Sequence, residues 1–409
     1  MSVASPLPAA RSQAREDPAA LAGIGAARTP GRSGALDGLR GLAALAVLCF
    51  HAWLYRPGGL PGPRHTLGSK VLFELNLGLI CFFVLSGFLL YRPFVAAAHG
   101  GNPVDLRRYG LRRLARVVPA YYASVAGSLL LYWLIGAPEL VPGARQVALF
   151  ALFAQSYSVD TLTAINAVTW TLCVEVAFYV LLPIVGLLVL RLSSRRLLVQ
   201  AAPLLAMVAL TLAWNALVHF RHWDPVASKS LPAYAGDFAL GMLAALWVQR
   251  RRRAPGHQRL LPGLSAAVAG AGISLVIGGG YWHERWGSHT AAHGILTDLP
   301  AAAGFALLVA ALAAGSGPLL AAFRWRPLLA AGSISYGVYL WHIPLLVALR
   351  HLGWMPASLL PRLALILILT VVFATVSWIG LERPLIRRAA SRGRAASRGL
   401  AGATHARVR

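Results

Sequence analysis

Arg40 and His51 lie eleven residues apart in the first long apolar stretch of the sequence, residues 36–55. At about 100° per residue, this spacing places both side chains on one face of a helix, about 16 Å apart along its axis. An ionisable side chain near the centre of a bilayer costs about 2.5–3.5 kcal/mol, so two on one stripe favour a polar cavity over contact with lipid. A guanidinium suits anion binding and an imidazole suits proton transfer near neutral pH.

Both residues also have simpler interpretations. Arg40 lies only four residues inside the stretch, so its long side chain could reach the membrane interface. A lone histidine that bonds to a neighbouring helix is also common, so the meaning of His51 depends on the other polar residues of the chain.

The composition is that of a polytopic membrane protein. The chain has 409 residues, of which 57% are hydrophobic and only 12% charged, and its mean hydropathy is +0.63. The net charge of +25 could suggest nucleic acid, but the arginines lie in short clusters between apolar runs, without interleaved aromatic residues. The three cysteines lie in apolar runs without metal-ligand spacing, so neither a disulfide framework nor a metal site is expected.

Apolar windows of about 20 residues predict an all-α membrane protein, a polytopic bundle of about ten transmembrane helices. The predicted ranges are 36–56, 71–91, 115–136, 168–190, 197–218, 233–249, 261–281, 299–319, 330–350 and 359–380. The stretch 147–157 is too short to cross and is predicted to be re-entrant or interfacial. A transmembrane domain at 35–388 is therefore expected between two disordered tails, residues 1–34 and the basic residues 389–409.

Arginine clusters alternate with the predicted helices. If the N-terminus is cytoplasmic, then every large cluster lies on the cytoplasmic side: 92–116, 191–196, 250–253, 324–326 and the tail after 381. This alternation predicts a multi-pass protein of the cytoplasmic membrane with both termini cytoplasmic.

The predicted topology places several polar side chains at similar depth, in the outer half of the membrane. They are His51, Glu74, Asn76, Glu175, Asp237 and His342. Polar groups from five helices are costly to scatter in lipid, so a shared vestibule that opens outward is expected. The alternative is a set of local hydrogen bonds between helices, each worth only about 0.6–2 kcal/mol.

Six sequence strings occur in the order that is typical of the acyltransferase 3 family. They are LDGLRGLAALAVLCFH at 36–51, FFVLSGFLL at 82–90, RRLARVVPAYY at 112–122, TWTLCVEVAFYVLLP at 169–183, SISYGVYLWHIP at 333–344 and LERPLIRR at 381–388. The sequence thus resembles a family of integral membrane acyltransferases that modify sugars and other hydroxylated acceptors. The resemblance implies an acyl-CoA co-substrate, most simply acetyl-CoA, with no permanently bound cofactor, and a carbohydrate or glycosylated acceptor. Unlike many relatives, this sequence predicts no hydrolase-like domain after the tenth helix.

O-acylation requires a base that removes the proton of the acceptor hydroxyl as it attacks the thioester. His51 is the predicted base, and Glu175 is the candidate that orients its imidazole. Glu175 could equally be structural and bond Thr171 or Tyr179, one turn away. Arg40 lies about 16 Å from His51 along the helix, so it is expected to contact the phosphates or pantetheine amides of the donor.

Basic residues ahead of the third predicted helix are further candidates for donor binding. Arg108, Arg112 and Arg116 repeat every four residues, and the resemblance favours Arg113 and Arg116, ahead of Pro119. Cytoplasmic loops are also basic for topological reasons alone, and anionic lipid would be attracted to them.

The acceptor is expected in the vestibule, where Tyr339 and His342 of the ninth predicted helix would join Glu74, Asn76 and Asp237. Tyrosines also commonly pack and bond across membrane helices. The histidines within 281–293 are too irregularly spaced to predict a metal site.

A function of a different class, a multi-pass transporter or flippase of a glycan or lipid-linked substrate, would need a similar cavity. The sequence shows no repeat of one half in the other and no paired helices broken by Gly or Pro. The prediction is therefore an enzyme.

Overall fold

The computed structural model describes residues 34–58, 66–191, 196–223, 225–253, 259–285, 290–386 and 388. Apart from Gly34, the two predicted tails lie outside these residues. The described residues contain ten helices of 16 residues or more, besides several shorter ones: α1 Gly34–Leu54, α2 Leu67–Ala98, α3 Leu106–Leu134, α4 Trp170–Arg191, α5 Leu197–Arg221, α6 Leu231–Arg253, α7 Pro262–Arg285, α8 Leu299–Ala314, α9 Arg326–His351 and α10 Leu359–Ser377. Helix α2 contains a 3₁₀ turn at Leu75–Leu77.

The predicted all-α membrane bundle is confirmed. Among the described residues, nine helices are long and apolar enough to cross a membrane, and the tenth, α8, is shorter with 16 residues. The predicted end of α8 at residue 319 was too late, since the helix ends at Ala314, before Gly315 and Gly317. Helix α3 starts earlier than predicted because Asp105 caps it, accepting a hydrogen bond from the backbone N–H of Arg108 at 2.9 Å.

The segment between α3 and α4, residues 135–169, is an irregular connection that folds back onto the bundle. Its predicted short helix occurs as Ala144–Ala151 with a 3₁₀ turn at Gln155–Tyr157. Hydrogen bonds to backbone carbonyls fix the connection: the hydroxyl of Tyr132 donates to Ile165 at 2.7 Å, and the amide of Asn166 donates to Leu340 of α9 at 2.8 Å. The connection is therefore a structured part of one end of the bundle.

Helices α1 and α9 pack at very short distance because small residues lie between them. A Cβ atom at Gly332 would overlap the carbonyl oxygen of Asp37, and a Cβ at Gly41 would overlap that of Leu328. Close backbone approach at glycine is a common way to join membrane helices. This contact sets α1 alongside α9, with the residues around Arg40 against the first half of α9 and His51 against the second half.

Candidate active site

His51 and His342 lie side by side where α1 packs against α9. Nδ1 of His51 is 3.2 Å from Nε2 of His342, and the two ring centroids are 5.0 Å apart. Nδ1 of His51 is also 2.9 Å from the carbonyl oxygen of Val47, and Nδ1 of His342 is 3.0 Å from that of Val338. The predicted base and a second histidine of the same predicted vestibule thus form one pair.

The partners of the two rings assign the ring protons. A backbone carbonyl can only accept, so Nδ1 of each neutral histidine carries a hydrogen and donates it. Nε2 of His342 is then unprotonated and accepts from Nδ1 of His51, whose hydrogen is shared with the carbonyl of Val47. Nε2 of His51 is therefore unprotonated and takes part in none of the described hydrogen bonds. The pair presents one basic nitrogen.

Glu175 has other partners than the one predicted for it. Its Oε1 accepts hydrogen bonds from the hydroxyl of Tyr179 at 2.6 Å and from that of Ser86 at 2.9 Å, which agrees with the structural alternative. No described hydrogen bond joins Glu175 to His51, and the side chain within hydrogen-bonding distance of the His51 ring is that of His342. Glu175 was predicted to meet His51 because the two residues lie at similar depth. It does not, because α4 presents Glu175 to Ser86 of α2.

A cavity opens between α1, α2, α3, α4 and α9. Its polar lining consists of Arg40, Ser86, Arg113, Arg116, Thr171, Glu175, Tyr179, Ser335, Tyr336 and Tyr339. We call it the arginine-side cavity, because Arg40, near the start of α1, lines it together with Arg113 and Arg116. The end of α1 that carries His51 is the histidine side.

The predicted donor-binding arginines divide into two groups. Arg40, Arg113 and Arg116, from two helices, converge on the arginine-side cavity. Arg112 does not line the cavity, and its side chain is exposed. The repeat of every fourth residue selected Arg112, whereas the family resemblance selected the two arginines of α3 that the structure places in the cavity.

Glu382, which the sequence argument did not single out, lies next to these arginines. It is 3% exposed, in a π-helical turn that continues α10, and it is close enough to Arg116 and Arg40 to interact with them electrostatically. The hydroxyl of Ser377 donates to its Oε1 at 3.4 Å. The string LERPLIRR could have indicated Glu382 as a site residue. Its carboxyl group directly follows an apolar helix, and a carboxyl group is costly to bury without a partner.

Tyr339 closes the arginine-side cavity toward the histidine pair. Its hydroxyl is 2.8 Å from Oγ1 of Thr171 and donates to the carbonyl of Val168 at 3.2 Å. Its ring centroid lies 5.9 Å from that of His342. Helix α9 thus runs from the cavity wall at Tyr339 to the histidine pair within one turn.

The other predicted vestibule residues do not join this site. Asn76 donates to the carbonyl of Phe73 in its own helix at 2.7 Å, and the carboxyl group of Glu74 packs beside Gly280 of α7. Asp237 is buried in α6, and its Oδ2 has no hydrogen-bond partner in the described part of the chain. Of the six residues predicted at similar depth, the described hydrogen bonds join only His51 and His342, because depth in the membrane does not determine which neighbour a helix face meets.

The described residues contain no group of three or more His, Cys, Asp and Glu side chains placed to hold a metal ion. Of the histidines within 281–293, His289 lies outside the described residues, and the side chain of His283 is not described. His293 is buried in a short helix, Ala291–Leu296.

Several known proteins are similar to this chain. YrhL of Bacillus subtilis, named as a proposed peptidoglycan O-acetyltransferase, is 25% identical over 374 residues, which cover 86% of this chain and 54% of YrhL. The O-acetyltransferase OatA of Staphylococcus aureus is 25% identical over 378 residues, covering 86% of this chain and 57% of OatA. BcsY of Komagataeibacter xylinus, named as a proposed membrane-bound transacylase, is 27% identical over 367 residues, covering 85% of this chain and 81% of BcsY.

The chain thus spans little more than half the length of YrhL and OatA. No solved structure matches it significantly. The family model described as an acyltransferase domain matches residues 33–381, a range that includes the histidine pair and the arginine-side cavity. Because this match covers most of the sequence, the protein belongs to the acyltransferase 3 family.

Proposed function

We propose that this protein is a membrane O-acyltransferase that moves an acetyl group from acetyl-CoA to a hydroxyl group of a carbohydrate or glycosylated acceptor. One observation carries the proposal: a histidine with a free basic nitrogen lies beyond one end of a cavity whose lining includes three arginines. The names of YrhL and OatA as O-acetyltransferases support the reaction class.

The arginine-side cavity is the proposed donor site. Guanidinium groups bind phosphate through paired, charge-assisted hydrogen bonds, and Arg40, Arg113 and Arg116 would hold the phosphates or the pantetheine amides in this way. The distance of about 16 Å from Arg40 to His51 along α1 suits an extended donor, with its charged groups at the arginines and its thioester near Tyr339. Glu382 would hold Arg116 and Arg40 in position.

The chemical step uses Nε2 of His51 as the base. It accepts the proton of the acceptor hydroxyl while the hydroxyl oxygen attacks the thioester carbonyl carbon. The carbon–sulfur bond then breaks, the acetyl ester is complete, and the leaving thiolate of CoA receives the proton from His51. The carbonyl of Val47 and Nε2 of His342 hold the ring in the required tautomer, a role earlier predicted for Glu175.

The decisive experiment uses purified protein in lipid nanodiscs with radiolabelled acetyl-CoA and a de-O-acetylated cell-envelope glycan. An enzyme releases free CoA and transfers label to base-labile esters on the glycan, whereas a transporter or flippase releases no CoA. His51→Gln should retain acetyl-CoA binding and lose transfer. Transfer by His51→Gln at the wild-type rate would falsify the assignment of the base.

A further inference from the structure

A second cavity lies on the histidine side under the connection between α3 and α4. Its polar side chains are Tyr55, Tyr132, Glu139, Gln146, Asp160 and Thr163. We call it the histidine-side cavity. None of its lining residues has a role in the reaction proposed above, and none was predicted from the sequence for an acceptor vestibule.

Neither histidine of the pair lines a cavity, but along both helices that carry it the pair lies between residues that do. On α9, Tyr339 lines the arginine-side cavity, whereas Ile343, directly after His342, lines the histidine-side cavity. On α1, Arg40 lines the first cavity, and Tyr55, four residues after His51, lines the second. The ring centroids of His51 and Tyr55 are 6.3 Å apart. Along α1 and α9, the histidine-side cavity therefore lies on the side of the pair opposite to the proposed donor site.

The polar groups of this cavity suit an uncharged molecule that is rich in hydroxyl groups. Asp160 and Thr163 are exposed, and no hydrogen bond or ion pair of their side chains occurs with the described residues. Burial raises the pKa of Tyr55, so its hydroxyl remains protonated and can donate. Glu139 faces His351 at 3.3 Å. Carboxylates accept hydrogen bonds from sugar hydroxyls and repel anionic groups, while tyrosine rings pack against sugar faces.

The wall of the cavity has a fixed position relative to the histidine pair. Asn166 of the connection donates to the carbonyl of Leu340, two residues before His342, and the hydroxyl of Tyr121 in α3 donates to the carbonyl of Phe150 at 2.7 Å. Binding groups that are held rigidly lose little entropy when a ligand is bound. The connection between α3 and α4 is therefore held firmly enough to orient an acceptor.

We infer that the histidine-side cavity is the acceptor site and that it takes an uncharged saccharide, with one hydroxyl directed at Nε2 of His51. The inference rests on the proposed function. The acceptor then meets the thioester at the histidine pair, and donor and acceptor occupy separate cavities. Asp160, Thr163 and Gln146 are the side chains that select the acceptor.

The first test fills the cavity. Thr163→Trp should lower transfer of label to de-O-acetylated envelope glycan about tenfold or more, because the indole occupies the space of the saccharide, while acetyl-CoA binding stays at the wild-type value. Val159→Trp is the matched control, since Val159 is exposed in the same short segment and does not line the cavity. Immunoblots of membrane fractions establish equal amounts of protein, and the milder double variant Gln146→Ala with Asp160→Asn replaces Thr163→Trp if the latter fails to accumulate.

The outcomes separate the two proposals. Wild-type protein that transfers no label would overturn the proposed function and this inference with it. An active wild-type protein whose Thr163→Trp or double variant transfers normally would overturn the acceptor site alone. A loss of acetyl-CoA binding equal to the loss of transfer would also contradict a cavity specific for the acceptor.

The second test addresses the class of acceptor. Chitotetraose, which is uncharged, should compete with envelope glycan for label, and tetragalacturonate, which is anionic, should not. Asp160→Asn should reduce this discrimination, because it removes one of the two carboxylates that repel the anion. Equal competition by both saccharides, or by neither, would overturn the assignment to uncharged saccharides.

Discussion

The two cavities differ in how they are built. Regular helices alone supply the lining of the arginine-side cavity, and each of its charged residues belongs to a string that was recognisable in the sequence. The histidine-side cavity depends on the irregular connection at 135–169, and none of its charged residues belongs to such a string. In the proposed reaction, regular helices thus bind the donor, whereas an irregular connection selects the acceptor. The difference teaches that a search along the apolar helices alone finds only half of the proposed reaction path.

The largest expected effect on activity is that of replacing His51, which lies along α1 between residues that line the two cavities. His51→Ala should lower kcat by about 10²–10⁴-fold, the usual contribution of a positioned general base, with little change in the KM for acetyl-CoA. The measurement is CoA release from acetyl-CoA in the presence of envelope glycan. His99→Ala is the control, because Nδ1 of His99 makes the same type of contact with the carbonyl of Val95, at 2.8 Å, but the residue lies outside the histidine pair. Equal losses in both variants would remove His51 from the chemistry.

The arginine-side cavity is tested by the pair Arg113 and Arg116. Replacing either with alanine should raise the KM for acetyl-CoA by roughly 10-fold to 100-fold, because hydrogen bonds to charged groups contribute about 1.5–3 kcal/mol each. Arg112→Ala, in the same helix but exposed, should change it little. Titration of acetyl-CoA at saturating acceptor measures the effect. If Arg112→Ala weakened the donor as much, the general basic charge of the segment would be the cause.

His342 tests whether the pair acts as a unit. His342→Ala removes the acceptor of the Nδ1–H of His51 and should lower kcat by about fivefold to tenfold, the value of one neutral hydrogen bond. His342→Gln should restore part of the rate, since its side-chain oxygen can accept the same hydrogen bond. Acetyl-CoA binding should be unaffected in both. A loss as large as that of His51→Ala would instead make His342 a second base.

The smallest effect is expected for the carboxyl group behind the arginines. Glu382→Gln should raise the KM for acetyl-CoA by about threefold to tenfold, because Arg116 and Arg40 lose a charged neighbour that positions them. Glu74→Gln is the matched control, since it removes a membrane-helix carboxyl group whose neighbour is Gly280 of α7. An unchanged KM in Glu382→Gln would show that the arginines are held without it.

The positions of the helices could be predicted from the sequence, and their contacts could not. Each predicted span lies largely within one observed helix, because backbone groups in lipid must be satisfied within the segment and apolar length is therefore visible locally. Glu175 shows the limit. Its depth was predicted, but its partners Ser86 and Tyr179 depend on the rotation of α4 against α2. Glu74 and Asp237 were misplaced for the same reason.

The sequence alone determined an all-helical membrane protein, its family resemblance, and Arg40 and His51 as one stripe of α1. Tertiary structure decided that His342, 291 positions away, meets His51, and that Arg112 stays outside the cavity that Arg113 and Arg116 line. It also decided that residues 135–169 form a second cavity. The physical reason is that helix formation is a local property of the chain, whereas the pairing of α1 with α9 depends on close approach at glycines such as Gly332, which any apolar helix could contain.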